Sequence, residues 1–126
     1  MRKIILITGC SSGLGEKLAQ SLSGEYEVYA GARDLEKIQV SNKFIHPVKL
    51  DITNDSECKK AIEYILKEEG KIDVLINNAA YSLAGSTPDF EPQDFKNILD
   101  TNAVGAFRLM RLVIPGMKKR KFGKII

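Results

Sequence analysis

The chain has 126 residues, 44% hydrophobic and 28% charged, the make-up of one folded domain spanning residues 1–126 rather than of a disordered or low-complexity chain. The net charge of +3 comes from one end: without Lys118, Lys119, Arg120, Lys121 and Lys124, 14 basic residues face 16 acidic ones, so a nucleic-acid partner is not expected. No apolar run reaches membrane-spanning length, Arg2-Lys3 precedes a run too short for a signal peptide, and Cys10 and Cys58 suggest no disulfide framework, so a cytoplasmic setting is expected.

Strand and helix patterns alternate from the first residues. Ile4-Ile5-Leu6-Ile7 reads as a buried strand, and Thr8-Gly9-Cys10-Ser11-Ser12-Gly13-Leu14-Gly15 follows as a glycine turn. Leu14, Leu18, Ala19 and Leu22 continue at helical spacing. Glu27–Ala32 reads as a second strand, a short polar helix follows over 34–39, and His46–Leu50 reads as a third strand ending at Asp51. A helix is predicted over Asn54–Glu69, with Cys58, Ala61, Ile62, Ile65 and Leu66 on its apolar face and Gly70 at its end. Ile72–Asn77 reads as a fourth strand, followed by a loop over Tyr81–Glu91. Pro92 opens a helix carrying Phe95, Ile98, Leu99 and Asn102 on one face. A further helix runs from about Asn102 to Met117, and Gly123–Ile126 begins a fifth strand. This alternation implies a Rossmann-like, doubly wound parallel α/β sheet in the order 3-2-1-4-5. Its ligand crevice lies at the carboxyl ends of the strands, between strands one and four.

The glycine turn is an anion site on elementary grounds. The first N–H groups of a helix have no intrahelical partners, and the helix dipole adds partial positive charge there. Gly9 suits a tight turn off the strand, while Gly13 and Gly15 allow close approach to the backbone. Ser11 and Ser12 add hydroxyl donors, so a phosphate or pyrophosphate is the natural guest. The spacing Gly-x-x-x-Gly-x-Gly is neither the common dinucleotide fingerprint nor a P-loop. At the end of strand two, Ala32-Arg33-Asp34 places an arginine where a ribose 2′-phosphate would lie and no carboxylate at position 32. The competing reading of Arg33 is a solvated residue at a strand end. Asp51 is either an acceptor for an adenine amino group or an acid favoured by the following helix dipole. Asn102 falls on an apolar helix face, where an unpaired amide costs about 1–3 kcal/mol, so it is expected to bond backbone or water inside the fold. Cys10 is read as a small turn residue with no chemistry, and His46 as structural without an evident partner. Lys118–Lys121 are read as cations closing a helix C-terminus.

These motifs together resemble the N-terminal half of the short-chain dehydrogenase/reductase family. Thr8–Gly15 matches that family's TGxxxGxG cofactor turn, with Gly9, Ser11, Ser12, Gly13, Leu14 and Gly15 in the cofactor-binding positions. Asp51-Ile52 matches its adenine-contacting pair, Asn77-Asn78-Ala79-Ala80 its NNAG motif, and Asn102 its helical asparagine. The resemblance implies cofactor contacts from Asn78, Ala79 and Ala80, with Ala80 in place of the last glycine tightening the nicotinamide edge. Ser12 with Ala32-Arg33 is most similar to NADP(H)-preferring members of the 17β-hydroxysteroid and retinol dehydrogenase branch, so NADP is the expected cofactor ahead of NAD. No metal site is expected.

The implied activity is hydride transfer between the nicotinamide and a carbonyl or alcohol substrate. None of Tyr26, Tyr29, Tyr64 and Tyr81 has a lysine four residues on. The family's catalytic serine and Tyr-x-x-x-Lys pair are therefore expected beyond residue 126, in a longer parent. Asn102, which in the family holds a water for proton relay, is the one catalytic-set residue present, and this stretch alone is expected to be inactive. The alternative is a non-catalytic nucleotide-binding or interaction module of the same fold. The apolar residues of the Asn102–Met117 helix exceed one sheet-facing stripe. In the family this helix forms a subunit interface, which implies a homo-oligomer.

Overall fold

The computed structural model describes residues 1–126. The elements are β1 (Ile4–Ile7), α1 (Gly13–Leu22), β2 (Glu27–Ala32), β3 (Ile45–Lys49), α2 (Asp55–Glu69), β4 (Val74–Ile76), α3 (Pro92–Leu99), α4 (Gly105–Arg120) and β5 (Lys124–Ile125). Single 3-10 turns sit at Leu35–Lys37 and Thr87–Asp89, and a π turn, Asp100–Val104, joins α3 to α4. All strand pairs are parallel and the order is β3-β2-β1-β4-β5, as the alternating pattern implied.

β1 is central and every residue in it is buried, which is why its sequence is an unbroken apolar run. Its side chains alternate between two cores. Ile4 and Leu6 join Val48, Leu75, the α2 residues Cys58, Ala61, Ile62 and Ile65, and the α4 residues Leu109, Val113 and Met117. Ile5 and Ile7 join Val28, Ala30 and Ala19 of α1 on the other face. Asn54 caps α2 by accepting the Glu57 N–H at 2.9 Å. Gly70 ends that helix in the left-handed region at φ 75°.

Several boundaries and environments differ from the sequence reading. The polar helix over 34–39 is one 3-10 turn, capped by Asp34, because three residues supply too few bonds to propagate an α-helix. β3 begins at Ile45, which is buried beside Val28, and β4 is shorter than Ile72–Asn77 at both ends. Leu66, at the margin of the α2 stripe, is 38% exposed. The second long helix begins at Gly105, because the π turn intervenes at Asn102. His46 does have a partner: its Nε2 lies 2.7 Å from Glu27 Oε2, and its ring stacks on Tyr29 at 4.8 Å. At the end of α4, Lys118, Lys119 and Arg120 occupy the last turn and Lys121 adopts the left-handed cap at φ 54°. Arg120 does more than close the helix. It donates to the Ile72 carbonyl at 2.7 Å and lies 4.0 Å from buried Asp73, which also accepts the Ile4 N–H and pairs with Lys71.

Candidate functional site

A cleft of about 750 Å³ opens at the carboxyl ends of β1 to β4. One wall is the glycine turn, with Gly9, Ser11 and Ser12. The floor and far side are Ala32 and Arg33 after β2, and Leu50 to Thr53 after β3. Asn78 to Tyr81 after β4 and Asn97, Asp100 and Thr101 from α3 and the π turn complete it.

The glycines of the turn do separate jobs. Gly9 leaves β1 at φ 71°, and a Cβ there would stand 2.9 Å from Ala79 Cα. Gly15 is buried, and a Cβ on it would overlap the Gly9 carbonyl and crowd Asn78 Nδ2. Bare backbone at both positions lets the glycine turn, the start of α1 and the loop after β4 meet. Gly13, at φ 58°, faces open space, so its requirement is conformational. Ser12 occupies the N-cap position of α1 with no capping bond from its hydroxyl, which leaves that group available at the cleft. Leu14 does not line the cleft and is 65% exposed on the first turn of α1.

Thr8 and Asn78 fasten the two loops together. The Thr8 hydroxyl, 1% exposed, accepts N–H bonds from Asn78 at 3.0 Å and Ala79 at 2.9 Å. Asn78 Nδ2 donates back to the Thr8 carbonyl at 3.1 Å and the Gly9 carbonyl at 3.3 Å. Ala79 and Ala80 follow as cleft residues. Sequence reasoning assigned Thr8 no role, although a hydroxyl at the end of a buried apolar strand is a signal for such a bond. Cys10, 1% exposed, donates its thiol to the Ile7 carbonyl at 3.2 Å. Burial pushes its pKa up to about 12, so it supplies no thiolate.

Arg33 is exposed at the cleft and forms no ion pair with any protein carboxylate. Asp51 Oδ1 accepts bonds from the Thr53 N–H at 2.9 Å and the Thr53 hydroxyl at 2.7 Å, closing a local turn. Burial acts to raise its pKa, but the two Thr53 bonds, and then the Arg33 and Arg108 charges, outweigh that and hold the carboxyl below its ordinary value. Its Oδ2 has no protein partner. Since Asn54 caps α2, Asp51 lies outside the helix's first turn. Ile52 is buried against Gly105, where a Cβ would stand 2.7 Å from Ile52 Cδ1.

Asn102 departs from expectation. Phe95 and Leu99 are 63% and 44% exposed, so the face they share with Asn102 is open rather than buried. Asn102 itself is exposed in the π turn and does not line the cleft. The expected backbone bonding does occur: Oδ1 accepts the Tyr81 N–H at 3.0 Å, and Nδ2 donates to the Tyr81 carbonyl at 2.8 Å. The amide therefore clamps the chain just beyond Ala80. Thr53, Asn97, Asp100 and Thr101 are cleft residues that sequence reasoning missed. Thr53 was legible as the partner of an Asp two positions earlier. Asp100 and Thr101 lie in the π turn, which no local pattern announces, and Asn97 reaches the cleft from the last turn of α3.

The arrangement offers free helix-terminal donors, an unpaired guanidinium and a free serine hydroxyl at one end, with a free carboxylate oxygen further along. That donor set fits an anionic nucleotide, with a pyrophosphate at the unpaired N-terminus of α1.

A family model described as short chain dehydrogenase matches residues 3–126. Human (Homo sapiens) retinol dehydrogenase 8 is 35% identical over 136 residues, covering 98% of this chain and 43% of that protein. The crystal structure of a short-chain dehydrogenase from Streptomyces avermitilis superposes with a TM-score of 0.93 at 25% identity, over 99% of this chain and 48% of the other. ElxO with NADP bound gives a TM-score of 0.90 at 32% identity, over 99% and 54% of the respective chains. The chain spans about half the length of the curated relatives it matches.

Proposed function

The chain belongs to the short-chain dehydrogenase family, and from that premise we propose that residues 1–126 form the dinucleotide-binding unit of an NADP(H)-dependent oxidoreductase acting on a small carbonyl or alcohol substrate. When bound, the cofactor supplies a hydride at its nicotinamide to a carbonyl carbon, or takes one from an alcohol carbon. The residues of this chain bind and orient it. Gly9, Ser11, Ser12, Gly13, Leu14 and Gly15 form the turn on which the pyrophosphate rests. Asp51 and Ile52 receive the adenine, with Asp51 Oδ2 as acceptor for its amino group. Asn78, Ala79 and Ala80 border the nicotinamide ribose. Asn102 holds the Tyr81 stretch in place, and each atom of its amide retains one bonding site for a water.

The observation that carries the choice of NADP(H) is Arg33, which lines the cleft without an ion pair to any protein carboxylate, together with the uncommitted hydroxyl of Ser12 on the same cleft. A 2′-phosphate satisfies both, whereas a bare 2′-hydroxyl leaves the guanidinium unanswered. A relative solved with NADP bound supports the same reading. Affinities for the two cofactors, measured before and after Arg33→Ala, test it. A charge-assisted contact is worth about 1.5–3 kcal/mol, so NADP(H) binding is expected to weaken about tenfold or more with NAD(H) unchanged. An unaltered ratio refutes the assignment.

The parent oxidoreductase is proposed to be a homo-oligomer. The rival reading is a non-catalytic nucleotide-binding module of the same fold. A reading frame containing Tyr-x-x-x-Lys after Ile126 decides for the enzyme.

A further inference from the structure

Arg108, in the first turn of α4, has a side chain only 17% exposed and bonds to both sides of one end of the cleft. Toward the β3–α2 connection, Nε donates to Asp55 Oδ1 at 2.6 Å and Nη1 to the Ile52 carbonyl at 3.1 Å. Toward the π turn, Nη2 donates to Asp100 Oδ1 at 2.7 Å and Nη1 lies 3.5 Å from the Asp100 carbonyl. The stretches it joins carry cleft residues: Asp51, Ile52 and Thr53 on one side, Asp100 and Thr101 on the other. Asp51 spends its side-chain bonds on Thr53, inside its own turn. The Leu50 N–H bond to the Ala32 carbonyl and the Cys58 thiol near the Asp51 carbonyl tie that turn to β2 and α2, and toward α4 it is fixed by Ile52, with its side chain stopped by Gly105 and its carbonyl held by Arg108.

We propose that Arg108 is a positioning residue for recognition of the nucleotide base: it sets the separation of the Asp51–Thr53 turn from Asp100–Thr101 and so aims Asp51 Oδ2 at the exocyclic amine of adenine. The inference rests on the proposed function, in which Asp51 accepts from that amine. The geometry requires arginine. A planar fork with five donors can hold two carboxylates and a carbonyl at once, whereas a lysine ammonium is a single point that cannot span them.

The test uses the 126-residue chain and two ligands, adenosine 2′,5′-bisphosphate and its inosine counterpart, which has a carbonyl where adenine has the amine. The unaltered chain is expected to bind the adenosine ligand about tenfold or more tightly than the inosine ligand, the worth of one hydrogen bond to a charged group. Arg108→Lys is expected to cut that preference to about twofold or less, as a misaimed carboxylate gains little from the amine. A purely structural loss lowers both affinities together and leaves their ratio alone. If Arg108→Lys does not fold, Asp100→Asn, which weakens one bond of the fork, is expected to reduce the ratio in the same direction. Equal binding of both ligands by the unaltered chain overturns the adenine contact, and this inference with it. A ratio that survives the substitution undiminished overturns the role of Arg108 alone.

Discussion

Replacing Thr8 by valine isolates the bond network that joins the glycine turn to the loop after β4. Valine keeps the branched shape and removes the hydroxyl. The Asn78 N–H retains a second acceptor, the Ile76 carbonyl at 3.1 Å, but Thr8 Oγ1 is the acceptor found for the Ala79 N–H. Leaving one such donor unpaired at this half-buried position costs about 1–3 kcal/mol. Thr8→Ser removes a methyl and keeps the acceptor, which by analogy with Ile→Val costs about 0.5–1.5 kcal/mol. Urea unfolding of both variants is therefore expected to rank valine below serine, although serine removes more volume. Nucleotide binding should follow the same order, since the Gly9 and Ala79 backbones lie on opposite sides of the contact that Thr8 holds. A Thr8→Val chain as stable as Thr8→Ser would falsify the reasoning, because packing rather than bonding would then hold the loops.

Three further outcomes follow from the same geometry. The purified chain should bind nucleotide yet show no cofactor-dependent turnover above background; activity that survives repurification contradicts this. It should self-associate at micromolar concentration in sedimentation, because Val104, Phe107 and Ile114 of the π turn and α4, with Phe95 and Leu99 of α3, expose apolar surface, and β5 has an unpaired outer edge; a monomer without concentration dependence contradicts it. Asp51 has a depressed folded pKa, so its stabilising contribution is complete above its ordinary value of 3.8 and lost as pH falls through the lower folded value. Acid unfolding of Asp51→Asn should lack that component, and identical acid limbs for variant and parent would refute it.

The sheet was legible in the sequence because β1, central and buried on both faces, is written as an uninterrupted apolar run, and because the strands on either side alternate with helical patterns. The glycine-turn end of the cleft was legible for a related reason: Gly9 and Gly15 sit where a Cβ has no room, and glycine is a visible residue. What stayed hidden depends on tertiary contact. The periodicity through Phe95, Ile98, Leu99 and Asn102 is genuine and the helical path continues through the π turn, yet Phe95 and Leu99 on that face stay exposed. His46 and Glu27 lie on neighbouring strands, and a one-strand pattern cannot pair them. Arg108 reads as one more surface cation until the fold brings Ile52, Asp55 and Asp100 around it.

The most direct measurement is a calorimetric titration of the unaltered chain with NADPH and with NADH under identical conditions. Binding of both with NADPH favoured about tenfold or more is the expected result, reflecting the 2′-phosphate held by Arg33 and Ser12. Equal affinities, or a preference for NADH, would contradict the account at its centre.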